Sequence, residues 1–128
     1  MKRAYLTIFL LLGLAGAAAA QSDELTLRPG QKGSAARGKV SVRFVLLAED
    51  SRCPAGVACI WAGNAKVKVE VTIRRRAKKA FELNTGVEPR SVEFDGYRFK
   101  LIDVTPRPGE KATGPHAVPK VRISVTKI

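Results

Sequence analysis

The sequence predicts an all-β fold, either an antiparallel, immunoglobulin-like β-sandwich or a small barrel of roughly six to eight short strands. Three observations support this fold class. Apolar and polar residues alternate with a period of two along most of the chain, as in strands with one buried face. Asp95-Gly96 is a two-residue hairpin signal between two such stretches. No amphipathic helical pattern of useful length follows residue 20, and 128 residues suffice for one domain.

The first part of the domain contains a short segment, a loop and a long strand. Leu25–Arg28 opens the fold, and the stretch 28–38, rich in Gly and basic residues, is predicted to be a loop. Residues 40–47 then alternate, with apolar side chains at every even position. Val45 and Leu47 make the later half apolar on both sides. This pattern predicts a central strand whose later half is covered on both faces.

The clearest alternation runs from Cys59 to Arg74, with apolar or small side chains at the odd positions. At about 3.3 Å per residue such a strand would be about 50 Å long, which is too long for so small a domain. We therefore predict a bulge or bend at Gly63-Asn64. Shorter strands are predicted near residues 81–83, 92–94, 97–101 and 121–126, with a Pro- and Gly-rich loop at 106–119.

Residues 1–20 have the layout of a cleavable export signal. A Lys-Arg start precedes an apolar stretch, and Ala18 and Ala20 are the small residues that precede a signal-peptidase cut. An uncleaved anchor is the alternative, but the Ala- and Gly-rich second half favours cleavage. We therefore expect a signal peptide at 1–20 and a single exported, soluble domain at 21–128, periplasmic or secreted, with no membrane span after cleavage.

The charge balance is strongly basic, which bears on partners and not on the fold. The chain has 23 Lys and Arg against 11 Asp and Glu, with a formal net charge of +12. Removal of residues 1–20 would leave 21 cations and the same 11 acids, a charge of +10. Five cations are concentrated at a predicted hairpin tip: Arg74, Arg75, Arg76, Lys78 and Lys79. Five more are predicted on outward faces and extend the same field: Lys66, Lys68, Arg98, Lys100 and Arg122.

The basic tip has two interpretations. It predicts contact with an anionic polymer of the cell envelope or the medium, because clustered cations release counterions from such a polymer. The alternative is a solvated turn that protects sheet edges from pairing with other chains. Aromatic residues are not interleaved with the cations, so specific nucleic-acid binding is not expected.

Cys53 and Cys59 are predicted to form a structural disulfide, because two cysteines in an exported chain usually pair. A bridge around this seven-residue loop would stabilise the fold by about 2 kcal/mol. The spacing is not Cys-x-x-Cys, and two cysteines with the distant His116 do not complete a metal shell, so no metal or cofactor is expected. Phe44 and Trp61 are predicted to lie in the core.

The stretch around the cysteines resembles a family of small exported bacterial proteins, many of which look like lipoproteins. The shared pattern is Asp-Ser-Arg-Cys-Pro, a short gap and Cys-x-Trp-Ala-Gly. Residues 50–54 and 59–63 match it here. The resemblance implies an exported β-sandwich domain and brings no known activity. This chain departs from the lipoprotein members because no lipid-accepting cysteine lies near the expected cut.

No catalytic constellation is evident, so the protein is not expected to be an enzyme. His116 lies alone in the Pro- and Gly-rich loop. Residues 33–40 approach a phosphate-binding loop, but Val40 replaces the required hydroxyl and the segment leads into a strand. We expect a non-catalytic protein that binds an anionic polymer or another exported protein. The alternative is an inhibitor that presents the disulfide-closed loop 53–59 to a protease or another enzyme.

Overall fold

A computed structural model describes residues 22–108 and 118–128, which form eight strands and, within those ranges, no helix. The strands are β1 (Ser22–Leu27), β2 (Lys32–Ala35), β3 (Val40–Asp50), β4 (Ala65–Ile73), β5 (Ala77–Asn84), β6 (Ser91–Phe94), β7 (Tyr97–Thr105) and β8 (Lys120–Lys127). No helix long and apolar enough to cross a membrane occurs in the part of the chain that is described. The expected signal peptide and His116 lie outside these residues.

The strands form two antiparallel four-stranded sheets that pack face to face. One sheet has the order β1-β8-β7-β6 and the other β2-β3-β4-β5. At the margins β1 contacts β2 and β5 contacts β6, but among the eight described strands no ladder of hydrogen bonds joins the sheets. The predicted fold class is confirmed, and of the two architectures it is the sandwich and not the barrel that forms.

The core lies between the sheets and follows the alternation of the sequence. All five odd-numbered residues of β4, from Ala65 to Ile73, are buried. They face a layer from the other sheet that includes Phe99 and Ile123, and Phe99 packs on Phe81 with ring centroids 5.6 Å apart. Each fully buried large apolar side chain contributes about 1.5–3 kcal/mol relative to an exposed one, so this layer is the main source of stability.

Two predictions about the first half of the domain are wrong. The stretch 28–38 is not all loop, since Lys32–Ala35 pairs with β3 as a short edge strand that has no apolar run of its own. The later half of β3 is not covered on both faces. Bulges after Phe44 and after Leu47 shift its register, and Leu46 is 44% exposed.

Trp61 does not lie in the core. The predicted break at Gly63-Asn64 is confirmed, because Gly63 has a φ of +71° and β4 begins only at Ala65. Trp61 precedes this break and therefore has no place in the strand alternation. It is 82% exposed, whereas Phe44 is fully buried as expected.

The connections between strands lie at two opposite ends. The tight turns 36–39, 74–76 and 95–96 lie together with the start of β1 and the end of β8, and we call this the basic end. The longer loops 51–64 and 85–90 lie with the end of β7, and we call this the disulfide end.

Candidate functional site

The predicted basic tip is the turn between β4 and β5. Arg74 and Arg75 both have positive φ, +50° and +60°, and the Arg76 N–H donates to the Ile73 carbonyl at 3.0 Å. Two successive residues in the left-handed region define a type I′ turn, which matches the twist of the flanking strands. The Arg74 N–H also donates to the Lys39 carbonyl at 2.7 Å. This bond ties the tip to the turn between β2 and β3.

Eight exposed cations lie at the basic end, beside three acidic side chains, Asp23, Glu70 and Asp95. These cations are Arg37, Lys39, Arg74, Arg75, Arg76, Lys78, Lys79 and Lys127. Within residues 22–108 and 118–128, only Lys78 has a carboxylate within 4.0 Å, that of Glu70 at 2.7 Å. The hydrogen bond from Lys78 lowers the pKa of Glu70 below its ordinary value. The other seven cations therefore form no ion pair within 4.0 Å among the described residues.

The five cations predicted at the tip do not form one uniform set. Arg74, Arg75 and Arg76 occupy the turn itself, whereas Lys78 lies on the outer face of β5 and is paired. Lys79 lies at the margin between the sheets, with its Nζ 5.6 Å from the centroid of the Phe94 ring. The prediction missed Arg37, Lys39 and Lys127, because they are distant in sequence and meet only through strand pairing.

The five cations predicted on the outward faces fall into two groups: Lys68 and Lys100 are exposed and have no carboxylate within 4.0 Å among the described residues, whereas the other three are paired. Lys66, Arg98 and Arg122 point outward as predicted, but each has acidic neighbours. Lys66 lies 3.4 Å from Glu49, and Arg98 lies 2.6 Å from Glu93. Arg122 lies 3.3 Å from Glu24 and 3.7 Å from Asp103. The predicted extension of the positive field along the faces is therefore largely neutralised at these three positions.

At the disulfide end the predicted bridge between Cys53 and Cys59 is confirmed. The Cys53 N–H donates to the Ala62 carbonyl at 3.1 Å, and the Ser51 N–H donates to the Asn64 carbonyl at 2.8 Å. The covalent bond and these hydrogen bonds fold the loop back on itself. The loop therefore keeps its shape without belonging to either sheet.

Arg52 fixes this loop to the body of the sandwich. Its Nε and one terminal nitrogen each donate to the Asp50 carboxylate at 2.8 Å, and it also donates to the carbonyls of Val104 and Pro106. The side chain is only 11% exposed. The hydrogen bonds from the Arg52 side chain to the Asp50 carboxylate lower the pKa of Asp50, although burial acts in the opposite direction. Arg52 is thus a structural residue, which the sequence did not reveal.

The segment from Cys53 to Gly63 contains no charged residue and carries apolar side chains into solvent. Ile60 is 93% and Trp61 82% exposed, and Val57 is also exposed. Exposed large apolar side chains that lie close together are more typical of contact surfaces than of an inert loop. In the part of the chain that the structure describes, no three His, Cys, Asp or Glu side chains are arranged to hold a metal ion.

Comparisons with models of protein families, with curated proteins and with solved structures found no significant match to this chain. The resemblance carried by residues 50–63 therefore stays a prediction. The two ends of the sandwich carry the features that bear on function.

Proposed function

We propose that the protein is an exported, non-catalytic binding protein whose basic end contacts an anionic polymer of the cell envelope or the extracellular medium. The observation that carries this proposal is the concentration of unpaired cations at one end of the sandwich. Seven cations at the basic end have no carboxylate partner among the described residues, whereas Lys66, Arg98 and Arg122 on the faces do. Unpaired cations keep their full attraction for a polyanion.

The backbone of the turns gives further support. Arg37, Arg74 and Arg75 have φ of +56°, +50° and +60°, in a region that glycine tolerates and other residues rarely adopt. Each such residue costs about 1–2 kcal/mol of conformational energy. Three arginines, together with Ala36 and Asp95, thus occupy positions that favour glycine, and the arginines place three cations at the turns in spite of this cost.

The test compares two triple variants with the same net charge. One replaces Arg74, Arg75 and Arg76 with Gln, and the control replaces Lys68, Lys100 and Lys120, which are exposed on the sheet faces, with Gln. Binding to heparin, polyphosphate and lipopolysaccharide is measured at about 50 and 200 mM salt, a range over which multiple phosphate contacts lose orders of magnitude in affinity. We expect the tip variant to lose most of its binding and to show a smaller salt dependence.

Two results would contradict the proposal. Equal losses in both variants would mean that net charge, and not the basic end, drives binding. If the wild-type protein binds none of these polymers at the lower salt concentration, polyanion binding itself is refuted.

The disulfide end supports a second candidate function, an inhibitor that presents the loop 53–59 to a protease or another enzyme. The observation that favours it is the exposure of Val57, Ile60 and Trp61 on or beside a loop closed by a bridge. Such preorganisation lowers the entropic cost of binding. Arg52 is not part of the presented surface, because its hydrogen bonds hold it against the fold. An inhibitor would lose activity in Trp61→Ser and would be unaffected by the tip variant.

A further inference from the structure

A cleft of about 130 Å³ lies at the basic end, between the two sheets. Its walls come from the start of β1, the turn between β2 and β3, the first residue of β7 and the end of β8. Among the residues that line it are Arg37, Lys39, Lys127, Asp23 and Tyr97. The volume accommodates several water molecules or one tetrahedral oxyanion. The cleft adjoins the tip, since the Lys39 carbonyl accepts the Arg74 N–H at 2.7 Å.

Tyr97 provides an observation that is independent of charge. The residue is only 5% exposed, yet its hydroxyl has no hydrogen-bond partner among residues 22–108 and 118–128. No side-chain oxygen or nitrogen of those residues is both enclosed and unpartnered, so the hydroxyl is accessible at the surface, and Tyr97 is one of the residues that line the cleft. A tyrosine hydroxyl usually finds a partner when its ring is buried. A group bound in the cleft would supply such a partner.

Asp23 limits what the cleft can bind. Its Oδ2 accepts the Ala36 N–H at 2.7 Å, which fixes the turn that carries Arg37 and Lys39. The carboxylate also lowers the charge of the cleft lining to +2, since it stands against three cations. The donors available are one hydroxyl, one guanidinium and two ammonium groups. Groups of this kind donate to the oxygens of phosphate and sulfate.

We propose that this cleft binds a single phosphate or sulfate group of the polymer, with Tyr97 donating a hydrogen bond and Arg37, Lys39 and Lys127 supplying positive charge. The proposal rests on the proposed function and adds a defined subsite to it. Arg74, Arg75 and Arg76 would then hold neighbouring groups of the same polymer through charge alone. The subsite would distinguish a compact, highly charged group from an isolated carboxylate.

The probe is inorganic phosphate, titrated into ¹⁵N-labelled protein at constant ionic strength with chloride as the balancing anion. We expect saturable shifts of the amides of residues 37–39, Tyr97 and Lys127. Tyr97→Phe should weaken binding by about tenfold, the effect of one hydrogen bond to a charged group. Asp23→Asn should strengthen it several-fold, because the amide oxygen still accepts the Ala36 N–H while a repulsive charge is lost. Lys68→Gln removes a distant cation from a sheet face and should change nothing.

The outcomes separate this subsite from the proposed function. If heparin and polyphosphate bind but phosphate gives no saturable shift up to about 100 mM, far above the millimolar range of weak sites, the subsite is refuted while the function stands. If phosphate binds in the cleft and no polymer binds, the proposed function is refuted while the anion-binding cleft stands. Equal affinities of wild type, Tyr97→Phe and Asp23→Asn would also overturn the subsite. Should Tyr97→Phe fail to fold, Lys127→Gln replaces it, with weaker phosphate binding expected. A parallel titration with sulfate shows which of the two anions the cleft prefers. Together with the relative affinities for heparin and polyphosphate, this preference identifies whether the polymer carries sulfate or phosphate groups.

Discussion

The two ends of the sandwich hold their loops by different means. At the disulfide end a long loop is fixed by a bridge, by backbone hydrogen bonds and by the buried part of Arg52. At the basic end the turns are short, and their conformation comes from residues with positive φ, among them Arg74 and Arg75. At the disulfide end the Arg52 guanidinium is hydrogen-bonded within the fold, whereas at the basic end the Arg and Lys side chains are exposed.

This difference separates stability from binding. Substitutions at the disulfide end remove packing, a covalent link or a hydrogen-bonded ion pair, so they should lower the free energy of unfolding. Replacing the exposed cations of the basic end should change affinity for a polyanion and should change stability by no more than about 1 kcal/mol. Each of the following variants tests one side of this comparison.

The largest effect is expected at Gly63. A Cβ atom at this position would lie 1.9 Å from the Ser51 carbonyl oxygen, and Gly63 also has a positive φ. Gly63→Ala should therefore lower the free energy of unfolding by about 3 kcal/mol or more, measured by urea denaturation. The control is Gly38→Ala at the basic end. Gly38 has a φ of +83° but no atom within 4 Å of the added Cβ, so only the backbone cost of about 1–2 kcal/mol applies. Equal losses would show that the disulfide end is not closely packed at Gly63.

The next effect concerns the bridge. Replacing both Cys53 and Cys59 with Ser should lower the free energy of unfolding by about 2 kcal/mol, since the unfolded chain gains the entropy of an open loop. Binding to heparin or polyphosphate should not change in conditions where the variant stays folded. Loss of polymer binding in a folded variant would contradict the functional separation of the two ends.

Strand alternation made most of the fold predictable. The odd positions of β4 are buried because their aliphatic side chains face the second sheet, and the Asp95-Gly96 turn forms because both residues tolerate positive φ. The alternation did not predict the exposure of Trp61 or the presence of β2. Trp61 lies beyond the bend at Gly63, where alternation no longer reports the direction of a side chain. Lys32–Ala35 is a strand only because β3 offers it hydrogen bonds, and its own side chains carry no signal.

The candidate site was predictable in part. The run of cations at 74–79 is contiguous, so sequence alone placed it at a hairpin tip. Arg37, Lys39, Tyr97 and Lys127 are brought together by the pairing of strands that are far apart in the chain. Local pattern cannot reveal such a cleft. The role of Arg52 was hidden for a similar reason, because two of its acceptors are carbonyls more than fifty residues away.

A smaller effect, dependent on pH, is expected at Asp50. Above the unfolded-state pKa of about 3.9 the Asp50–Arg52 pair is fully present, and its contribution is lost as the pH falls through the lower folded-state pKa. Asp50→Asn should thus cost about 1–2 kcal/mol at neutral pH, and its difference from wild type should shrink below about pH 4. Glu70→Gln, which removes the surface partner of Lys78, should have a smaller effect on thermal unfolding. If the difference in free energy of unfolding between wild type and Asp50→Asn stays constant down to acidic pH, the ion pair is excluded as the cause of that difference.

The smallest effect is expected in the turn at the basic end, where two neighbouring substitutions should change the free energy of unfolding in opposite directions. Arg75 has a φ of +60°, so Arg75→Gly should relieve backbone strain and raise the free energy of unfolding by up to about 1 kcal/mol. Arg76 has no positive φ, so Arg76→Gly should lower it by about 0.5–1 kcal/mol through the flexibility of the unfolded chain. Both variants remove one unpaired cation from the same turn, and both should weaken heparin binding by a similar factor. Urea denaturation and a heparin titration of each variant measure the two quantities separately. A stabilised Arg75→Gly protein that binds less polymer would show that the turn keeps an arginine at the expense of stability, whereas losses of stability in both variants would mean that no strain is held there.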